Sequence, residues 1–106
     1  MNDMELNIRA KSGVSTIKIV GNIKSSSDAK RIQAAIQKVA DSEHNARIIL
    51  NIVDSFIVTS SVIGALVKFI SKDKLPISMR IGNVELYEML EEMELARLFN
   101  ATKVSA

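Results

Sequence analysis

The chain has no cysteine, which excludes disulfides and thiolate metal sites. Its one histidine, His44, lies in a polar stretch without a second histidine to complete a ligand set or a general-base pair. Glycine is scarce, and none of the four stands in a GxGxxG or GKS/T arrangement. Gly21-Asn22-Ile23 therefore does not make a phosphate-cradling loop. No basic block with interleaved aromatics is present. A formal net charge of +2 with a pI near 9.0 is too slight a bias to imply nucleic acid. The opening MNDMELNIRA lacks the apolar core of a signal peptide, and no run approaches membrane-spanning length. The expectation is a cytoplasmic protein with no membrane insertion and no cofactor.

What is present is ordinary for a soluble globular protein. The 106 residues are 47% hydrophobic and 25% charged, enough for one domain with a modest core. The organising stretch is 47–70. Ile48, Ile49, Leu50, Ile52 and Val53 form a nearly unbroken apolar run, which predicts a strand buried on both faces. Val62, Ile63, Leu66, Phe69 and Ile70 then recur at helical spacing. Between them stand three hydroxyls, Thr59, Ser60 and Ser61, any of which can cap the helix start. A strand that delivers hydroxyls to a helix N-terminus suits phosphate or phosphorylation chemistry, while simple capping explains the same residues.

Around this stretch the periodicities predict the remaining elements. Residues 5–10 alternate, with Leu6, Ile8 and Ala10 on one face of a half-buried strand. Lys11, Ser12 and Gly13 signal a turn into a strand over 16–20, and the short connection predicts an antiparallel hairpin. One of Ser25, Ser26 and Ser27 caps a helix over about 27–41, where Ile32, Ala35, Ile36, Val39 and Ala40 make one stripe. Residues 42–45 read as a loop. Pro76 belongs at a strand start or edge, and Ile77, Met79 and Ile81 alternate. Asn83 can cap a third helix marked by Val84, Leu86, Tyr87, Leu90 and Met93. A short helical turn over 95–99 drops Leu95, Leu98 and Phe99 onto the core. Residues after 100 show no pattern and are expected to fray. The order is β-β-α-β-α-β-α: one α/β domain, core about 5–100, with a mixed four- to five-stranded sheet and helices mainly on one face.

Catalytic groups are poorly represented. Glu88, Glu91, Glu92 and Glu94 oppose the leucines of the third helix and read as a solvated face. Asp54, at the end of the central strand, is the best-placed carboxylate, but it has no visible partner and is expected to bind the backbone of its own turn. The chain does not read as an enzyme.

With the element order in hand, the sequence resembles the STAS family, the small domains that include bacterial anti-sigma-factor antagonists. The resemblance spans about 6–99 and rests on three landmarks. Ile19-Val20-Gly21-Asn22-Ile23-Lys24 stands where the family has its "hydrophobic-x-Gly-Glu-hydrophobic-Asp" strand end. Ile48-Ile49-Leu50-Asn51-Ile52, then Phe56-Ile57-Val58-Thr59-Ser60-Ser61-Val62-Ile63-Gly64, stands at the family's strand and "Asp-Ser-Ser-Gly-Leu-Gly" signature. Met79-Arg80-Ile81-Gly82-Asn83-Val84 and the tail from Leu90 to Phe99 make the third.

The resemblance implies a protein–protein switch in a partner-switching pathway. The second serine of the signature is phosphorylated by a serine kinase of the histidine-kinase-like ATPase type, which is also the anti-sigma factor, and a PP2C-type phosphatase resets it. Carried over, Ser61 is the phosphoacceptor with Ser60 beside it, and Asn22, Lys24, Ser25, Asp54, Thr59, Ser60, Ser61 and Val62 form the partner surface. The chain departs from the pattern at Thr59 for Asp, Val62 for Gly, Lys24 for Asp and Asn22 for Glu, so an acidic rim has become neutral to basic. Two alternatives stay open: an unphosphorylated regulatory or scaffold subunit for a transporter ATPase or signalling protein, and a nucleotide- or small-ligand-binding sensor.

Overall fold

The structure is a computed structural model that describes residues 4–42, 47–55 and 58–104. His44 and the 43–45 part of the expected loop, like Phe56 and Ile57 of the second landmark, lie outside the described residues. The elements run β1 (Glu5–Lys11), β2 (Val14–Val20), α1 (Ser26–Ser42), β3 (Arg47–Ile52), α2 (Ser60–Ser71), β4 (Ile77–Ile81), α3 (Val84–Glu92) and β5 (Ala101–Lys103). They build one sheet in the order β1-β2-β3-β4-β5. β1 and β2 are antiparallel, and the other three pairings are parallel. Ser12 and Gly13 close the hairpin with φ of 51° and 79°. This is the pair of left-handed residues that a two-residue turn needs to match strand twist.

The three helices pack on one face of the sheet, as the patterning predicts. Ile17, Ile19, Ile48, Leu50, Ile52, Ile77, Met79 and Ile81 point to that side and are all buried. They meet the α1 stripe (Ile32, Ala35, Ile36, Val39), Val62, Leu66 and Phe69 of α2, and Leu86 and Leu90 of α3. The opposite face is open. Register places Arg9, Lys11, Lys18, Arg47 and Arg80 on it, all exposed, with Glu5 as the single acid of the strands' open side. β3 is therefore buried on one face only. Ile49 and Asn51, on its open side, are half-buried. The apolar run reflects flanking strands, not a second helical layer.

Three further expectations change. β1 carries its apolar residues at the sheet's edge, so Ile8 is 43% exposed and Ala10 is exposed too. The third helix ends at Glu92. Glu94 takes φ 60° and Leu95 N–H turns back to the Leu90 carbonyl, a left-handed helix stop that leaves Met93 49% exposed. Residues 101–104, the described part of the segment expected to fray, are ordered by β4. Phe99 is fully buried, Asn100 turns the chain with φ 48°, and Ala101–Lys103 pairs with β4. A three-residue strand is too short to leave a period, and its partner supplies the order.

Candidate functional site

Because β2, β3 and β4 are parallel, their carboxyl ends lie at the same end of the sheet, where α1 and α2 begin. Such an end, with backbone N–H groups turned outward from helix starts, is where open α/β sheets place their sites. Two strand-to-helix connections run side by side here, joined by a parallel bridge between Ile23 and Val58. The bridge sets Lys24 alongside Thr59, and the Lys24 side chain is exposed.

Each connection has its own capping chemistry. Ser25 precedes α1, and its Oγ accepts the Asp28 N–H at 3.1 Å. Asp28 Oδ2 accepts the Lys24 N–H at 3.3 Å in return. This reciprocal arrangement satisfies two donors at once. Ser25 is thus the capping serine. Thr59 is the N-cap of α2 by backbone conformation (φ −71°, ψ 153°), but its side chain makes no cap hydrogen bond. Its carbonyl accepts from Val62 N–H at 3.1 Å and Ile63 N–H at 3.2 Å. The Thr59 Oγ1 atom is buried and has no hydrogen-bond partner among the described residues.

Ser60 and Ser61 are the first two residues of α2, and both are exposed. No acceptor among the described residues takes their backbone N–H groups, and no acidic residue stands in this first turn. Ser61 therefore offers a solvent-facing hydroxyl in the positive end of a twelve-residue helix. Val62 differs from its neighbours. It is 2% exposed and faces the core, so the β-branched side chain adds nothing to the outer surface. Asn22 is half-buried in the same connection as Lys24.

Asp54 does not bind its own turn. Its Oδ1 accepts the Gly21 N–H at 2.8 Å, across from the end of β3 to the end of β2. Ser55, wholly buried, donates its hydroxyl to the Gly21 carbonyl. Adjacent residues of one connection so hold both polar groups of a single glycine, whose φ of 96° few other residues adopt. Gly82 completes the rim: its N–H donates to the Ile52 carbonyl at 2.9 Å, and a Cβ there would sit 2.1 Å from the Val53 carbonyl oxygen. Gly21, Ser55 and Gly82 are the positioning residues that periodicity passes over. The available signal was a glycine directly after two of the parallel strands.

Among the described residues no group of three or more His, Cys, Asp or Glu is placed to hold a metal, and no helix is long and apolar enough to cross a membrane. What the rim offers is a surface: exposed hydroxyls, the exposed Lys24, two carboxylates engaged with backbone (Asp28 and Asp54), and a sheet end beneath.

No family model matches the chain, and no curated protein matches it. Solved structures do. The crystal structure of an anti-sigma factor antagonist from Mycobacterium paratuberculosis superposes with a TM-score of 0.75 at 17% identity, covering 93% of this chain and 85% of that one. The anti-sigma factor antagonist SpoIIAA in its unphosphorylated form gives a TM-score of 0.70 at 12% identity, covering 96% and 88%. At these identities the likeness is one of architecture, and nearly the whole chain shares it: the protein has the STAS-like fold of the anti-sigma-factor antagonists.

Proposed function

We propose that this chain is a non-enzymatic regulatory protein that acts by docking to a partner through the rim at the start of α2, with phosphorylation of Ser61 as the switch. The observation that carries this reading is the placement of Ser61: exposed, second in α2, beside the exposed Ser60, on a sheet end shared with two anti-sigma factor antagonists. The partners it implies are a serine kinase of the histidine-kinase-like ATPase type and a PP2C-type phosphatase.

The physical consequence of phosphorylation is local. A phosphoserine brings about −1.5 to −2 charges and three acceptor oxygens. At a helix N-terminus it meets unpaired N–H groups and the positive end of the dipole, so the fold tolerates it. The exposed Lys24, alongside Thr59, supplies a nearby cation. The change falls on the docking surface, where a new dianion meets the partner and alters its affinity.

The test is phosphopeptide mass spectrometry after co-expression with such a kinase, together with pull-down of the partner. Ser61→Asp should lose a partner that Ser61→Ala keeps. Absence of phosphate from both Ser60 and Ser61 in the presence of active kinase rejects the switch. A partner that binds Ser61→Asp and Ser61→Ala alike supports the reading as an unphosphorylated regulatory subunit, which the replacement of the signature's acid by Thr59 favours.

A further inference from the structure

The sheet has two edges, and they are unequal. β5 is three residues long, whereas β1 presents seven, Glu5–Lys11. The free side of β1 can be read from its pairing with β2. The Ile19 carbonyl accepts the Val53 N–H at 3.1 Å, so Ile19 turns its polar backbone towards β3. Its antiparallel neighbour Leu6 is then in a non-hydrogen-bonded pair and turns its own N–H and C=O off the sheet. By alternation Ile8 and Ala10 do the same. The two-residue turn gives the same parity, since it requires Lys11 and Val14 to be a hydrogen-bonded pair.

Such a row of outward donors and acceptors is a template for another strand. The strand that fits it is its own copy. In an antiparallel pairing centred on Ile8, Ile8 opposes Ile8 of the second copy and Leu6 opposes Ala10. Every outward-turned residue then meets another, giving six backbone hydrogen bonds by the antiparallel ladder rule, about two per facing pair. On the open face, Glu5 falls opposite Lys11 and Asn7 opposite Arg9, each twice by symmetry. Opposite charges face each other and no like charges do. Shifting the centre to Arg9 would set Arg9 against itself, and shifting it to Asn7 leaves Ala10 and Lys11 with no strand residue opposite.

The helix layer leaves room for this. It stops short of β1, where a shallow groove of about 170 Å³ is lined by Ile8, Ala10, Ser15, Lys38, Val39 and Ser42. Ile8 is one of four large apolar residues exposed among those described, at 43%, and it sits at the middle of the strand. We propose that β1 joins two copies of this chain edge to edge, about a two-fold axis at Ile8, into one continuous ten-stranded sheet. The contact is isologous, so it closes as a dimer and does not propagate.

Sedimentation equilibrium over a range of concentrations reads the mass, with circular dichroism to confirm that each variant is folded. The native chain should approach twice its monomer mass. Glu5→Lys turns both attractive pairs repulsive and should weaken association by about tenfold or more. Glu5→Lys with Lys11→Glu should restore it. Since the chain has no cysteine, single cysteines report the register: Ile8→Cys should cross-link on mild oxidation, while Ala10→Cys, about 13 Å from its symmetry mate at four strand residues' rise, should not. A native chain that stays monomeric at every concentration overturns the proposal. So does a dimer indifferent to both charge variants, or one that cross-links as readily through Ala10→Cys as through Ile8→Cys.

Discussion

Gly21 and Asp54 stand 33 residues apart in the chain and meet at 2.8 Å, the glycine N–H donating to the carboxylate. The contact ties the exit of β2 to the exit of β3, at the end of the sheet where α2 begins. The carboxylate with the best position for chemistry thus serves the rim that carries Ser61.

Asp54→Ala should cost about 1–2 kcal/mol, because a backbone donor loses a charged acceptor at a partly solvated site. For a domain of this size about 1 kcal/mol shifts the melting temperature by about 4–8 °C. Urea melts should show the loss with an unchanged slope. Asp54→Asn keeps an acceptor oxygen and should cost less.

Gly82→Ala should be far more severe than its size suggests. A Cβ would lie 2.1 Å from the Val53 carbonyl oxygen, and backbone must move to admit it. A loss of about 3 kcal/mol or more is expected, at the upper end of overpacking costs. Gly64→Ala is the control: a Cβ at Gly64, inside α2, meets nothing within 4 Å, so the substitution should raise stability by up to about 1 kcal/mol through helix propensity. Thermal melts of the two variants should move in opposite directions.

Val62→Gly would bring the residue of the STAS signature into this chain, yet it should weaken the protein. Val62 is 2% exposed and packs in the core. The substitution removes buried methyl groups and places glycine inside a helix, together costing about 2–4 kcal/mol. A chemical denaturation midpoint equal to or above the native one would contradict the packing described.

The two N-caps should respond in opposite ways. Asn83 Oδ1 accepts the Leu86 N–H at 2.9 Å, so Asn83→Ala should cost about 1 kcal/mol. The buried Thr59 Oγ1 has no partner among the described residues, and Thr59→Val replaces it with a methyl of the same shape. That exchange should be neutral or stabilising by up to about 1 kcal/mol. Equal losses in the two variants would show that the Thr59 hydroxyl caps after all.

Much of the architecture is local in origin and so legible in the sequence. Ile32, Ile36 and Val39 declare a helix by spacing alone, and Ile77, Met79 and Ile81 declare a strand, since period is a property of neighbouring residues. The Lys11-Ser12-Gly13 turn and the Ser25–Asp28 cap are set within four residues of themselves. The position of Thr59, Ser60 and Ser61 between a central strand and a helix followed from the same reading.

What escaped was decided at a distance. Ala101–Lys103 is a strand because β4 lies beside it. Asp54 has its partner across the rim and not in its own turn. Val62, which the helical stripe already marked as apolar, is buried while Ser61 beside it is exposed, so of the two only Ser61 belongs to the outer surface that the family resemblance implied for both.

The sequence by itself determined the order and kind of every element but β5, and where its hydroxyls fall, because those depend on patterns a few residues long. Only the tertiary structure decided that β3 is covered on one face only, which residues hold Gly21, and which edge of the sheet carries outward-turned backbone. Those outcomes rest on contacts between segments far apart in the chain, and such contacts leave no period to read.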